Sequence, residues 1–417
     1  MDGRRPWLTK LRQHWTRAGV QPIRIAGQDI AALDEVKHFK LVGTTGTGKS
    51  TAIYQLLDAA LKRGDRAVIS DPDGGYHRRL HRARRADVVL NPFRPDSVRW
   101  DPFGEIRQPY DVDQLASALI PYSDDPSTRE WRAYARTLFV AVIRRCHVDG
   151  PTTLARLWEL LTVASIDELR PLVAGTAAQP FLEPDNARMF GSIRSVLMSA
   201  IEALEHIRVQ RSRSFSVRDW VQRGRGVLFI PYRADQIAAL RSIIAAWLRL
   251  AIVEALSQPE NQDQRLWFVV DELDAIGAID GLKDALARLR KFGGRCVLGF
   301  QSIAQVSSTY GAGDAQTIVE NCGNALIFRC SSGENGGTSQ FASRLIGERE
   351  VRRRQVARSR DRESGWPARG ARRSVQISEQ LVVESALMPS EIEQLPDLSG
   401  YLKLASSRSW QLVRLRR

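Results

Sequence analysis

The sequence predicts an α/β fold built on a central, mostly parallel sheet, with an inserted all-α domain. Short apolar segments that are typical of buried parallel strands alternate with helical segments before residue 107 and after residue 209. A glycine-rich loop joins one of these strands directly to a helix, and residues 108–208 carry helical patterns but no strand pattern. We therefore expect the α/β domain in two parts, residues 1–107 and 209–417, with the all-α domain at 108–208 between them.

Each predicted strand is a short run of apolar, often β-branched residues. In chain order the runs are FKLV from Phe39, RAVISD from Arg66, the segment Asp87–Leu90, GVLFI from Gly226, LWFVV from Leu266, CVLGF from Cys296 and ALIFRC from Ala325. Within the helical block, Ser127 and Glu130 have the spacing of a capping box, which predicts that a helix begins at Ser127 and ends near Cys146.

The composition is that of a globular protein with a basic surface. Hydrophobic residues at 43% and charged residues at 26% exclude a wholly disordered or membrane-embedded chain. The 61 Lys and Arg against 47 Asp and Glu give a formal net charge of +14, which indicates either polyanionic partners or an Arg-rich proteome. The four cysteines include no CxxC pair, so we expect neither a disulfide nor a zinc site.

Two apolar segments bear on membrane association. Near the start of the chain, one face of a predicted helix is apolar, and it either packs on its own domain or rests on a membrane surface. The residues of this stripe are Trp7, Leu8, Leu11 and Trp15. The longest apolar stretch, Ile243–Leu256, is interrupted by Arg249 and Glu254 and is too short to span a bilayer. We therefore expect no transmembrane segment.

Positive charge is concentrated in two places. Residues 349–373 contain ten Arg and three acidic residues, a net charge of +7, and few apolar residues. This stretch predicts either a solvated loop or an arm that contacts nucleic acid or an acidic partner. A second cluster is open to the same two interpretations, and it consists of Arg78, Arg79, Arg82, Arg84 and Arg85.

The segment GTTGTGKS, Gly43–Ser50, matches the phosphate-loop pattern GxxxxGK(S/T) in full. Its glycines let backbone N–H groups surround phosphates, and the N-terminus of the following helix adds positive potential. Lys49 is expected to neutralise the β- and γ-phosphates of ATP, and Ser50 to ligate Mg²⁺. The predicted nucleotide-binding residues are Gly43, Thr44, Thr45, Gly46, Thr47, Gly48, Lys49, Ser50 and Thr51.

An acidic pair ends one of the predicted strands. Asp271 and Glu272 follow LWFVV directly, which is where a phosphate-loop site requires its second half. Asp271 is expected to hold the magnesium ion through water, and Glu272 to polarise the attacking water. The alternative is a strand that simply ends in two solvated acids.

Two further groups of residues flank the next predicted strand. Gln301 follows CVLGF, so it is expected to sense the γ-phosphate or else to cap the following helix. A basic run precedes the same strand, and it either supplies an arginine finger to a neighbouring subunit or forms a solvated helix face. The run consists of Arg288, Arg290, Lys291 and Arg295.

The order of these blocks resembles the type IV coupling proteins, the TraD/TrwB-type ATPases of conjugative transfer and type IV secretion. The series begins with HFKLVGTTGTGKST from His38, VISDPDGGY from Val68, NPF followed by Trp100-Asp101, and EWRAYARTLF from Glu130. It continues with WFVVDELDAIG from Trp267, LARLRKFGGRCVLGFQS from Leu286, YGAGDAQTIVENCGNALI from Tyr310 and PSEIEQLPDLSGYLKL from Pro389. Together the blocks cover most of the chain.

The resemblance implies a RecA-like P-loop NTPase domain with an inserted all-α domain, assembled into a homohexameric ring. It implies Mg²⁺-dependent ATP hydrolysis that moves single-stranded DNA, with double-stranded DNA as an alternative. It further implies that the transfer strand and its bound relaxase are delivered to the secretion channel. By position in the matching block, Arg290 is the arginine finger and Gln301 matches a glutamine that family members carry.

Coupling proteins of this kind usually begin with transmembrane helices, and none is visible before the nucleotide motif. The resemblance therefore implies a place at the cytoplasmic face of the inner membrane, either peripheral or through an anchor that is missing or supplied separately. Two other functions stay open. One is a chromosome-segregation or DNA-packaging translocase of the same fold, and the other is a nucleotide-gated receptor that docks DNA–protein substrates with little motor activity.

Overall fold

The computed structural model describes residues 22–123, 125–150, 152–333, 337–361 and 372–416, and the predicted tryptophan stripe near the start lies outside them. The strands are β1 (Ile23–Ile25), β2 (Gln28–Ile30), β3 (Phe39–Val42), β4 (Arg66–Pro72), β5 (Val88–Val89), β6 (Arg99–Trp100), β7 (Ser214–Phe215), β8 (Val227–Tyr232), β9 (Leu266–Val270), β10 (Gly294–Phe300), β11 (Asn324–Ile327), β12 (Glu348–Asp361), β13 (Arg372–Ser385), β14 (Ser399–Lys403) and β15 (Gln411–Arg414).

The α-helices are α1 (Ala32–Glu35), α2 (Lys49–Lys62), α3 (Gly75–Leu80), α4 (Asp111–Leu119), α5 (Pro126–Val148), α6 (Leu154–Thr162), α7 (Ile166–Val173), α8 (Ala187–Ile201), α9 (Leu204–Arg208), α10 (Val217–Arg223), α11 (Ile237–Leu256), α12 (Leu282–Arg288), α13 (Ile303–Tyr310), α14 (Ala312–Asn321), α15 (Gly337–Ile346) and α16 (Pro389–Glu393).

Nine strands form one sheet in the order β15-β14-β11-β3-β10-β9-β4-β8-β5. The strands from β11 to β5 are all parallel, and β14 and β15 extend one edge in antiparallel pairs. Every predicted strand lies in this sheet, which confirms the mostly parallel α/β fold. Because parallel strands end at the same edge, the residues that follow β3, β4, β9 and β10 meet there.

Helices cover both faces of the sheet. On one face, α2 buries Ile53, Leu56, Leu57 and Ala60 completely, at the spacing of a single helical stripe. Full burial of a leucine or isoleucine side chain contributes roughly 1.5–3 kcal/mol, so this stripe firmly attaches α2 to the sheet. The other face carries a larger core that includes the buried side chains of α4, α5 and α11.

The described residues between 108 and 208 form helices and turns and contain no strand, as predicted. Their hydrophobic core is continuous with the core on the second face of the sheet. The helical block is therefore packed directly against the α/β part, and the predicted boundaries at 107/108 and 208/209 stay predictions.

Helix α5 begins one residue earlier than its predicted cap. Asp125 is the N-cap, since its carboxylate accepts the backbone N–H of Thr128 at 2.9 Å, and Pro126 occupies the first helical position. The hydroxyl of Ser127 donates to the same carboxylate at 2.6 Å. The prediction of a capping box at Ser127 was wrong because the preceding aspartate already satisfies the free N–H group.

The Arg-rich stretch from residue 349 begins a long two-stranded ribbon. Strands β12 and β13 pair antiparallel over their whole length, from Glu348 opposite Ser385 to Asp361 opposite Arg372. The prediction of a solvated loop was wrong for the described part. The reason is that Val351 and Val356 on β12 are matched by Val382 and Ile377 on β13, so pairing also brings apolar side chains together.

Helix α11 contains the longest apolar stretch of the sequence. Its Glu254 is buried and forms an ion pair with Arg107 at 3.1 Å. Within the described ranges, no helix has both the length and the apolar character needed to cross a bilayer.

Candidate functional site

The phosphate loop leaves β3 at the carboxyl edge of the sheet and leads directly into α2. Gly46 and Gly48 have φ angles of +79° and +121°, a region that residues with a side chain rarely adopt. Gly43 is required for space, since a Cβ atom there would lie 2.7 Å from Cβ of Phe328. The glycines of the motif thus serve both the turn and the close approach of the backbone.

The loop presents backbone donors that suit an anion. No acceptor within the described chain takes the N–H groups of residues 45–48. Lys49 is almost fully buried, and its Nζ donates to the carbonyl oxygens of Gly43 at 2.5 Å and Thr44 at 3.1 Å. Burial lowers the pKa of Lys49, against the opposing effect of the nearby Asp271. Backbone donors beside a lysine at a helix N-terminus fit a phosphate group.

Ser50 and Asp271, predicted to hold the metal, are in direct contact. The Ser50 hydroxyl donates to Oδ2 of Asp271 at 2.6 Å, and the hydroxyl of Tyr76 donates to the same oxygen at 2.8 Å. Hydroxyl and carboxylate oxygens are the protein ligands that Mg²⁺ prefers. The pair therefore fits a magnesium ion beside the loop, and its role as ligand stays a prediction.

Gln301 connects the loop to the acidic pair. Its Oε1 accepts the Thr45 hydroxyl at 3.0 Å, and its Nε2 donates to Oε1 of Glu272 at 3.5 Å. The alternative role of Gln301 as a helix cap is wrong, because Ser302 caps α13 by accepting the N–H of Ala304 at 3.2 Å. Gln301 thus lies between the loop and the acidic pair, and its role as a γ-phosphate sensor stays a prediction.

Glu272 lies half-buried at the end of β9. Burial raises the pKa of Glu272 above its usual range, and the neighbouring carboxylates of Asp271 and Asp274 raise it further. A raised pKa makes the carboxylate a stronger base, which suits the predicted activation of water.

The sequence did not predict that Asp71, a second acidic residue near the end of a strand, belongs to the site. Asp71 is the penultimate residue of β4 and accepts the backbone N–H groups of Tyr76 at 3.0 Å and His77 at 2.7 Å, so it fixes the first turn of α3. Burial raises the pKa of Asp71 to about 6. Through this turn, Tyr76 is held in contact with Asp271. The sequence VISDPDGGY carried the signal, but its connection to β9 depends on strand order.

These groups border a pocket of about 440 Å³. The lining residues are Thr45, Ser50, Thr51, Tyr54, Pro72, Asp73, Gly75, Tyr76, Arg78, Arg79, Asp271 and Glu272. Two members of the predicted basic cluster, Arg78 and Arg79, therefore lie beside the phosphate loop, and the Arg79 guanidinium stands 5.5 Å over the ring of Tyr54. A cation at this position fits a phosphate-bearing ligand.

Two other members of this cluster, Arg82 and Arg85, are engaged locally, whereas Arg84 is exposed. Arg85 forms an ion pair with Asp87 at 2.7 Å, and the Nη1 atom of Arg82 donates to the carbonyl oxygens of Arg79 and His81. The cluster is thus divided between the pocket and the adjacent loop.

Arg290 is not part of this site within one chain. It precedes the amino end of β10, a strand that crosses roughly 20 Å of sheet before it reaches Gln301. Arg288, Arg290 and Lys291 are exposed. Arg295 was the wrong candidate for a finger, because its buried guanidinium donates to Glu35 at 3.1 Å.

The end of the described chain supports the loop, which the sequence did not indicate. The N–H of Leu398 donates to the carbonyl oxygen of Thr47 at 2.9 Å, and that of Leu415 donates to Leu398 at 2.7 Å. Leu398 has a φ angle of +62°, which is unfavourable for leucine and is held by these contacts. The side chains of Leu398 and Leu415 also lie against Gly48.

The chain matches a known protein family over almost all of its length. Residues 22–416 match the family model described as the type IV secretion-system coupling protein DNA-binding domain. The coupling protein TraD of Escherichia coli K12 is 31% identical over 391 residues, which are 92% of this chain and 53% of TraD. VirD4 of Rhizobium radiobacter is 24% identical over 395 residues, 88% of this chain and 54% of that protein. The chain thus spans about half the length of these relatives.

Solved structures of the coupling protein TrwB share the whole architecture. The unbound form of TrwBdeltaN70 is 31% identical, with a TM-score of 0.82, and the match covers 98% of this chain and 91% of that one. TrwB in complex with the ATP analogue ADPNP has a TM-score of 0.83 at 31% identity, with 98% and 92% covered. The predicted RecA-like P-loop NTPase fold with its helical domain is confirmed. The chain belongs to the family of type IV secretion-system coupling proteins.

Proposed function

We propose that this chain is a Mg²⁺-dependent ATPase that moves DNA as a coupling protein. The observation that carries the proposal is the convergence at one sheet edge of the phosphate loop, the Ser50–Asp271 contact at 2.6 Å and the Gln301 bridge from Thr45 to Glu272. A loop that only bound an anion would need no acidic pair and no polar link between that pair and the loop.

ATP and Mg²⁺ are the proposed ligands. TrwB has been solved in complex with ADP and Mg²⁺ and with ADPNP. In this chain the N–H groups of residues 45–48 and Nζ of Lys49 would hold the phosphates, and Ser50 with Asp271 would hold the metal ion. When bound, Mg²⁺–ATP would supply the phosphoanhydride bond that is cleaved and a cation that neutralises phosphate charge.

The chain's own residues would carry the proton and the polar contacts. Glu272 would accept a proton from the attacking water, and burial supports this role because it raises the pKa of the carboxylate. Gln301 contacts Thr45 and Glu272, so its position would change with the presence or absence of the γ-phosphate.

The site would be completed by a second copy of the chain. Arg290 is exposed, and it lies at the opposite edge of the sheet from its own Gln301, so it would reach only the site of a neighbouring subunit. A head-to-tail contact of this kind closes into a ring, and six subunits are the number that the coupling-protein resemblance implies.

DNA and the secretion apparatus are the proposed partners. The net charge of +14 and the exposed arginines of β12 favour a phosphate backbone, single-stranded or double-stranded. As the matched family is that of secretion-system coupling proteins, we further propose that the DNA arrives with its relaxase and passes to a type IV secretion channel. The place of action would be the cytoplasmic face of the inner membrane, peripherally or through an anchor.

The proposed function is tested by ATP hydrolysis with and without single-stranded DNA across a range of protein concentration. DNA should stimulate hydrolysis, and the rate should rise more than linearly with protein, because each site needs a neighbour. Glu272→Gln should bind ATP yet hydrolyse it at least about a hundredfold more slowly. Hydrolysis that ignored both DNA and protein concentration would contradict the motor and favour a nucleotide-gated receptor.

A further inference from the structure

A tyrosine on α3 contacts the carboxylate that is proposed to hold the metal ion. The hydroxyl of Tyr76 donates to Oδ2 of Asp271 at 2.8 Å, and the Ser50 hydroxyl donates to the same oxygen at 2.6 Å. The two donors lie on different helices, and only Ser50 belongs to the phosphate-loop motif. The proposed phosphate and metal contacts do not include Tyr76, so its contact needs a separate reason.

The Asp271 carboxylate is confined on two sides. Its Oδ2 atom receives both hydroxyl groups, whereas Oδ1 is buried and accepts no hydrogen bond from any described residue. On the Oδ1 side the carboxylate lies close to β10, where a Cβ atom on Gly299 would be 2.9 Å from Oδ1. The two hydroxyl groups and this strand therefore determine which carboxylate oxygen faces Ser50.

Tyr76 is itself fixed by the end of β4. Its side chain is 4% exposed and packs in the core on the α2 face of the sheet. Its backbone N–H donates to Oδ1 of Asp71 at 3.0 Å, and Asp71 precedes α3 at the end of a strand that pairs directly with β9. The position of the Tyr76 hydroxyl thus depends on the sheet and not on a bound ligand.

The two hydroxyl donors differ in what a metal ion would do to them. The Ser50 oxygen is a proposed magnesium ligand, so its surroundings would change when the ion binds. Tyr76 is not a proposed ligand, and its hydroxyl can hold Asp271 both before and after the ion binds. A phenylalanine would fill the same buried space without a polar group that has to be paired. The hydroxyl therefore serves the carboxylate rather than the packing.

We propose that Tyr76 is a positioning residue that holds the Asp271 carboxylate in the orientation needed at the magnesium site, and that Asp71 fixes Tyr76 for this purpose. The inference rests on the proposed ATPase function. Loss of a residue that orients a metal ligand without touching the ion weakens metal binding by about tenfold to a hundredfold. The effect of Tyr76 should therefore appear in the affinity for Mg²⁺ and not in the affinity for the nucleotide alone.

The test measures binding of the fluorescent nucleotide mant-ADP while Mg²⁺ is titrated and, separately, in EDTA. Tyr76→Phe should raise the Mg²⁺ concentration at half-maximal response about tenfold or more, because the orientation of Asp271 is no longer fixed. Its affinity for mant-ADP in EDTA should stay within about twofold of the wild type, because the backbone donors of the loop are unaltered. Mg²⁺ binds free mant-ADP equally in every sample, so a difference between variants reports the protein.

Tyr310→Phe is the matched control. It also removes one tyrosine hydroxyl, which accepts the N–H of Ile279 at 3.1 Å, and it should leave the Mg²⁺ response unchanged. The inference is overturned if Tyr76→Phe responds to Mg²⁺ like the wild type, or if it loses mant-ADP affinity equally in EDTA and in Mg²⁺, as a purely structural role would require. A wild-type chain whose mant-ADP binding ignored Mg²⁺ would overturn the proposed function, and the inference with it.

Discussion

The two edges of the central sheet differ in how complete they are within one chain. At the carboxyl edge, Lys49, Ser50, Asp271 and Gln301 all contact other parts of the site. At the amino edge, Arg290 is exposed and makes no ion pair with any described residue. The difference teaches that one chain contains the predicted phosphate-binding residues at one edge, whereas the proposed contribution of Arg290 would have to come from a neighbouring subunit.

The largest effect is expected from a substitution that inactivates only the carboxyl edge of the sheet. Lys49→Ala removes the charge that would neutralise the phosphates, so ATP hydrolysis should fall by at least about a thousandfold. DNA binding should stay within about threefold, because the exposed arginines of β12 lie outside the loop. Hydrolysis assays and DNA titrations by fluorescence anisotropy measure the two effects separately.

Lys62→Ala is the control for this prediction. Lys62 ends the same helix, and its exposed side chain forms an ion pair with Asp58 at 2.7 Å. It should leave both activities unchanged. Equal loss of hydrolysis and DNA binding in Lys49→Ala would contradict the separation of the two surfaces.

The sequence predicted the complete edge well because its signals are local. The loop, the acidic pair and Gln301 each follow directly from a strand, so knowing the strands was enough to place them together. Tyr76 and Leu398 escaped prediction because they reach the site from segments whose position depends on strand order and on the antiparallel edge of the sheet.

The ribbon escaped prediction for a different reason. The residues of β12 are mostly charged, and its pairing depends on a partner strand beyond residue 371 rather than on any pattern within β12. For Arg295, sequence showed only a basic run, whereas burial against Glu35 decided its role. The sequence thus located the positive charge correctly along the chain but gave no information on which residues the arginines contact.

The incomplete edge is tested by mixing two variants. Arg290→Ala and Glu272→Gln should each lose about a hundredfold or more of ATP hydrolysis. If each site takes Glu272 from one subunit and Arg290 from the next, an equal mixture should recover up to about a quarter of the wild-type rate. ATP hydrolysis after mixing at high protein concentration, with single-stranded DNA present, measures the recovery.

Lys291→Ala mixed with Glu272→Gln provides the control, because Lys291 is an exposed cation beside Arg290. Lys291→Ala alone should hydrolyse ATP at nearly the wild-type rate. No recovery in the Arg290→Ala mixture would mean that Arg290 acts within its own chain or not at all, and the two edges would then not meet between subunits.

A smaller effect is expected from the ribbon. Arg352, Arg353 and Arg354 are exposed neighbours on β12, and replacing all three with Gln should weaken single-stranded DNA binding roughly tenfold to a hundredfold. The dependence of log affinity on log salt concentration should become shallower by about two units, because fewer counterions are released. ATP hydrolysis without DNA should not change.

The control replaces three exposed arginines elsewhere, Arg145, Arg170 and Arg223, which pair with neighbouring acids. This variant should keep both the affinity and the salt dependence of the wild type. If both sets of replacements reduced binding equally, the DNA contact would depend on overall charge and the ribbon would have no special role.

The smallest effect concerns a buried histidine at the amino edge of the sheet. His38 lies just before β3; its Nδ1 accepts the N–H of Cys296 at 3.0 Å, and Nε2 donates to the carbonyl oxygen of Leu286 at 2.9 Å, which ties α12 to the sheet. Burial lowers the pKa of His38 to about 4. The unfolded chain, with a histidine pKa near 6.5, therefore binds more protons between these values, and stability falls as pH drops below about 6.5.

Lowering the pH from 7.5 to 5.5 should reduce the unfolding free energy of the wild type by about 1 kcal/mol, because His38 stays neutral in the folded chain but is protonated in the unfolded chain. His38→Asn suits the left-handed backbone at this position, φ +56°, and contains no titrating group. It should be less stable than the wild type at pH 7.5, because the groups on Cys296 and Leu286 lose their partner. The gap should then narrow by about 1 kcal/mol at pH 5.5. Denaturant unfolding at the two pH values measures the gap, and a gap that stayed constant would show that His38 is not held neutral in the folded chain.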